Sequence, residues 1–113
     1  MIMFVEVCRD IIKERIRIAV ETQDEWDYGI EQCQKKITEL FANNMSDALR
    51  FLDIECTADE FSWLSEVFED IAEKTQSGDF IAALRRLAEK YPEETQSYNV
   101  ISFIDSAEGC IHP

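Results

Sequence analysis

Residues 57–76 read Thr57-Ala-Asp-Glu60-Phe-Ser-Trp-Leu-Ser-Glu-Val-Phe-Glu-Asp70-Ile-Ala-Glu-Lys-Thr-Gln76. The Thr57-x-x-Glu60 spacing is that of a capping box, in which each side chain answers a free backbone donor at a helix start. At about 100° per residue, Phe61, Leu64, Phe68, Ile71 and Ala72 fall on one side of the helix. Asp59, Glu66, Glu69, Asp70 and Glu73 fall on the other, with Trp63 on the border. Faces separated in this way bury the apolar side against other helices and leave the acids in water. The spacing predicts one helix to Gln76, closed at Ser77-Gly78, where Gly takes the left-handed closing conformation.

The same periodicity runs outward in both directions. Upstream, a first helix from Ile2 to Thr22 carries Phe4, Val7, Cys8, Ile11, Ile12, Ile18 and Ala19 on one broad apolar side. Arg15 falls in the middle of that side. Its stem either packs while its head reaches water, or the head pairs with an acid from another helix and fixes how the two dock. A second helix runs from Asp24 or Glu25 to Phe41, with a core stripe of Trp26, Ile30, Cys33, Ile37, Leu40 and Phe41. Gly29 beside that stripe, at a cost of about 1 kcal/mol against Ala, fits close approach of a neighbouring helix. Tyr28 points away, in company with Asp24 and Glu31. Asn43-Asn44 marks a turn, and Ser46 is the expected N-cap of a short helix from Asp47 to Ile54 that buries Ala48, Leu49 and Leu52.

Downstream, a helix from Asp79 to Tyr91 turns Phe80, Ala83, Leu84, Leu87 and Tyr91 inward and Arg85, Arg86 and Lys90 outward. Pro92 stops it and suits the first turn of a last helix, which directs Val100, Phe103, Ile104 and Ala107 inward and closes at Gly109. With only 3 Gly and 2 Pro, long helices with short links are expected. No segment shows strand alternation and none repeats. The expected fold is all-α, a single domain over residues 1–113 built as a bundle of five to six amphipathic helices.

Composition narrows the function. Apolar residues at 46% exclude a disordered acidic tail. Cys8, Cys33, Cys56 and Cys110 make no C-x-x-C and are too widely spaced for a zinc site or a small disulfide framework, so free thiols in a reduced, cytoplasmic setting are expected. The start of the chain has its charges after its apolar run, the reverse of a signal peptide, and no apolar run approaches spanning length. The one histidine, His112, has Cys110 two residues before it, but a nucleophile needs a base held by a third group. There is no EF-hand loop, no Gly-rich phosphate loop and no pair of Glu-x-x-His motifs. The expectation is a non-enzyme without cofactor or metal.

Charge is the informative quantity. The net charge is −13, which repels nucleic acid and anionic membrane and draws basic partners. Residues 51–80 hold nine acids against Lys74 alone, and residues 21–31 hold Glu21, Asp24, Glu25, Asp27 and Glu31 with no base. These blocks, −8 and −5, account for the whole net charge, so the acid is concentrated in faces rather than scattered. Asp59, Trp63, Glu66, Asp70 and Glu73 are the expected partner-binding residues, with Asp24, Tyr28 and Glu31 as a second acidic surface.

A small acidic chain of this kind, with Trp63 among the carboxylates of residues 57–76 and the run Leu87-Ala88-Glu89-Lys90-Tyr91-Pro92 through Ile104-Asp105, resembles the immunity proteins of bacterial toxin–immunity pairs. These include the pairs of contact-dependent growth inhibition. The resemblance implies binding and neutralisation of a cognate basic toxin, commonly a nuclease, whose substrate cleft an acidic helix fills in place of the phosphate backbone. A helical adaptor that binds a basic segment of another protein would use the same face.

Overall fold

The computed structural model describes residues 3–112, and these form helices and turns with no strand among them. The fold is all-α. The first helix, α1 (Phe4–Thr22), packs along α2 (Asp27–Asn43) across a four-residue link. The expected start of α1 at Ile2 lies outside the described residues. Phe4, Cys8, Ile12, Arg15 and Ile18 are buried, whereas Val7 and Val20 face outward, so the buried side of α1 is narrower than its apolar sequence implies.

The third helix, α3 (Met45–Arg50), widens into a π-turn over Phe51–Glu55, closed by the Cys56 N–H on the Phe51 carbonyl at 2.9 Å. Ser46 does not cap it. Asn44 holds the N-cap position, and its side chain donates back to the Leu40 carbonyl. The wider turn brings both Phe51 and Leu52 inside and leaves Ile54 outside.

The segment that decides the fold starts as expected. Thr57 Oγ1 accepts from the Glu60 N–H and Glu60 Oε1 from the Thr57 N–H, completing the capping box. It is not one helix, however: α4 (Ala58–Leu64) tightens into a 3₁₀ turn at Ser65–Val67 before α5 (Phe68–Thr75) resumes. The hydroxyls of Ser62 and Ser65 each donate to the carbonyl three residues back, the local bonding that bends a helix. The turn carries Val67 fully inside, from a position that a straight helix would leave at the margin.

Closure also differs from the expectation. Gln76, not Gly78, takes the left-handed conformation, at φ 54°. Its side chain offsets that conformation. Nε2 donates to the carbonyls of Glu73 and Cys110, and Oε1 accepts the His112 N–H, so one residue ties the end of α5 to the end of the chain. Ser77 then caps α6 (Gly78–Lys90) by accepting the Phe80 N–H. The last expected helix is two, α7 (Pro92–Ser97) and α8 (Val100–Gly109), parted at Asn99 with φ 51°, a conformation that Asn tolerates. Val100, Ile104 and Ala107 are buried on α8, but Phe103, on the margin of that stripe, is exposed.

The core centres on α5, which packs between α2 and α8. A chain of phenylalanine rings crosses it. Phe51 meets Phe4, Phe4 meets Phe41, Phe41 meets Phe80, Phe80 meets Phe68, and Phe68 meets Phe61, with centroids 5.3–6.2 Å apart. These are the edge and tilted contacts that aromatic quadrupoles favour. No described helix is long and apolar enough to cross a membrane.

Glu60 links the capping box to α1 through Arg9, whose Nε lies 2.7 Å from its carboxylate. Burial disfavours the charged form, but Arg9 and the Thr57 N–H outweigh it and hold the carboxyl below its ordinary value of 4.5. A folded pKa below the unfolded one gives stability that is full above pH 4.5 and lost as pH falls through the depressed value. Urea midpoints measured down this range should fall more steeply for the wild type than for Glu60→Gln. Parallel curves would remove Glu60 from the acid response.

An acidic face built around Arg15

Arg15 organises the candidate surface. It is 8% exposed, and it pairs with acids from two other parts of the chain. Nε and Nη2 grip the two oxygens of Glu66 at 2.8 and 3.1 Å, and Nη1 reaches Asp24 at 2.7 Å. Gln34 of α2 donates to Glu66 Oε2 at 3.0 Å, and the guanidinium lies 5.4 Å from the centre of the Trp63 ring. Burial opposes the charge of Arg15, yet the bonds to Glu66 and Asp24 outweigh it and raise its pKa above the ordinary arginine value. The ion-pair reading of Arg15 therefore holds, and its partners lie in the 3₁₀ turn and in the α1–α2 link.

That link takes an unusual path. Gln23 and Asp24 are both left-handed, at φ 53° and 62°, which costs about 1–2 kcal/mol per residue outside glycine. The bond from Asp24 to Arg15 offsets part of this cost. Arg15→Ala removes the stem packing, the ring contact and the partner of two carboxylates. Because Glu66 and Asp24 retain some access to water, the expected loss is about 3 kcal/mol, the lower end of the range for breaking a buried pair. Chemical denaturation measures it, and wild-type stability would deny Arg15 its structural role.

Asp24, Asp59, Trp63 and Glu66 come together with Arg15, Ser62 and Tyr98 around one open cleft of about 330 Å³. Tyr98, between α7 and α8, was not legible as a site residue, since no helical period places it. Glu31 and Asp70 line a neighbouring depression together with Gln34, Lys35, Thr38, Glu39 and Lys74. Gln34 borders that depression and bonds Glu66 beside the cleft, so the two surfaces adjoin. The two acidic blocks of the sequence thus merge, because α2 packs on the 3₁₀ turn and on α5. Glu73 lies farther along α5. It and its neighbours Glu69 and Asp70 help to raise the Cys110 thiol, behind burial as the main cause.

Five arginines are taken up in ion pairs, while Lys35 and Lys74 line the depression beside Glu31 and Asp70. Arg9 is spent on Glu60, Arg15 on Glu66 and Asp24, Arg17 on Glu14 and Glu21, Arg85 on Asp105 and Glu108, and Arg86 on Asp53. Among the described residues Glu25, Asp27, Glu31, Asp59, Glu69, Asp70 and Glu73 make no ion pair. Glu66 differs from these in being held internally.

Two expectations for α2 change. Trp26 does not enter the core; it is 47% exposed at the N-cap, and its ring centre lies 6.3 Å from that of exposed Tyr28. Gly29 is explained by that ring rather than by a neighbouring helix. A Cβ at Gly29 would lie only 2.2 Å from an indole carbon of Trp26. His112 contributes its backbone N–H to Gln76, and its imidazole bonds to no described residue. No group of three or more His, Cys, Asp or Glu among the described residues is placed to hold a metal ion.

No protein-family model matches the chain, and neither a curated protein nor a solved structure matches it.

Proposed function

We propose that the chain is an immunity protein, which binds a cognate basic toxin domain and neutralises it by occupying its substrate cleft with the acidic helical face. The carrying observation is that carboxylates from two sequence-distant acidic blocks line adjoining depressions, where Glu31, Asp59 and Asp70 make no ion pair among the described residues. A solubilising coat has no need to be collected in one place. A nuclease cleft that binds a polyanion offers charge complementary to such an acidic face. Asp59, Asp70 and Glu73 supply the field, and Trp63, held by Arg15, supplies a rigid half-buried aromatic of the kind that concentrates binding energy. The chain acts, on this reading, in the cytoplasm of a bacterium and needs no cofactor.

The gene beside that of the chain should encode the toxin. Adding the purified chain to that basic domain should abolish its nuclease activity at one equivalent. Binding without loss of activity would favour an adaptor instead, and absence of binding would remove the reading.

A further inference from the structure

Of the two tryptophans, Trp63 already has a cation over its ring, the guanidinium of Arg15. The other cation–ring contacts among the described residues are Arg9 on Phe51 and Lys90 on Tyr91. The exposed pair Trp26 and Tyr28 carries none. Glu25, Asp27 and Glu31, which flank the pair in the sequence, are exposed and make no ion pair among the described residues.

Trp26 is also seated against the backbone. The benzo half of the indole lies against Gly29, where any side chain would collide with it, so the ring has a seat in the first turn of α2. Glycine inside a helix is unfavourable, and the nearest atoms that a side chain here would meet are carbons of this ring. An aromatic that is fixed before binding loses little freedom when a partner arrives.

We propose that Trp26 and Tyr28 form a docking site for an arginine side chain of a basic partner. The guanidinium stacks on the indole and pairs with the flanking carboxylates. This rests on the reading of the chain as the binder of a basic protein and names the contact that would anchor it. Arginine fits better than lysine, because its planar fork stacks on a ring and meets a carboxylate with two parallel bonds. The positive end of the α2 dipole opposes a cation here with about half an elementary charge. Three full carboxylates within the same short stretch outweigh it.

The probe is an end-blocked hexa-arginine peptide, titrated into the isotopically labelled chain at low salt while the two indole N–H signals are followed by nuclear magnetic resonance. The Trp26 signal should move with saturation and the Trp63 signal much less, while a hexa-citrulline peptide of the same shape but no charge leaves both in place. Trp26→Leu should weaken the peptide by about fivefold, with Trp26→Phe between it and wild type. Gly29→Ala, which keeps the ring but removes its seat, should also weaken the peptide while leaving the helical spectrum intact. A peptide that fails to bind, that moves only the Trp63 signal, or that binds folded Trp26→Leu as it binds wild type overturns the proposal. Inhibition of the neighbouring toxin does not enter this titration, so failure here leaves the immunity reading to its own test.

Discussion

Phe80→Ala should cost about 3–5 kcal/mol, which is a fifth or more of the stability of an ordinary domain of this size. Phe80 is fully buried, and its ring meets Phe41 of α2 and Phe68 of α5 edge-on, both at 6.2 Å. Truncation removes the middle of the aromatic chain, loses two ring contacts and opens a cavity where α2, α5 and α6 meet. Such a site has little freedom to collapse. Urea denaturation with circular dichroism measures the loss. A change below about 1 kcal/mol would show that the neighbours refill the space and that the ring chain does not hold the core.

Reversing Asp59 and Asp70 to lysine together should slow association with the neighbouring basic toxin domain by about 10–100-fold at low salt, with little change in dissociation. Both side chains are exposed and make no ion pair among the described residues, so the change acts through the field rather than through folding. The rate of the wild type should drop steeply with added salt and that of the variant should not. Glu66 is unsuitable for the same experiment. Its carboxylate is gripped by Arg15 and Gln34, and a lysine there would set two cations against each other inside the molecule. Stopped-flow mixing reads the rates directly. Equal rates in wild type and folded variant would move the binding face away from α4 and α5.

The helices themselves were legible because burial follows a helical period, and the Thr57–Glu60 capping box was legible because it is a local exchange of hydrogen bonds. The all-α class followed from these. What periodicity does not carry are the departures from a straight helix. The serine hydroxyls of Ser62 and Ser65 break the segment at 65–67, and Gln76 takes the left-handed position because its amide finds carbonyls that only the fold brings near. The acids of residues 24 and 57–70 were legible as charge, and Arg15 as an anomaly on an apolar side. That Arg15 joins Asp24 to Glu66 was not, since the pairing depends on how α1, α2 and α4 dock. Trp26 was misplaced in the core because the helical period extends formally through it, although the helix begins at Asp27.

On the proposed reading the acidic face takes the place of nucleic acid in the partner's cleft. A catalytically silenced form of the neighbouring toxin domain, loaded with a fluorescent oligonucleotide, tests it by anisotropy as the chain is added. One equivalent of the chain should release the oligonucleotide, and the Asp59→Lys, Asp70→Lys variant should not. A ternary complex, in which the chain binds and the oligonucleotide stays, would contradict it.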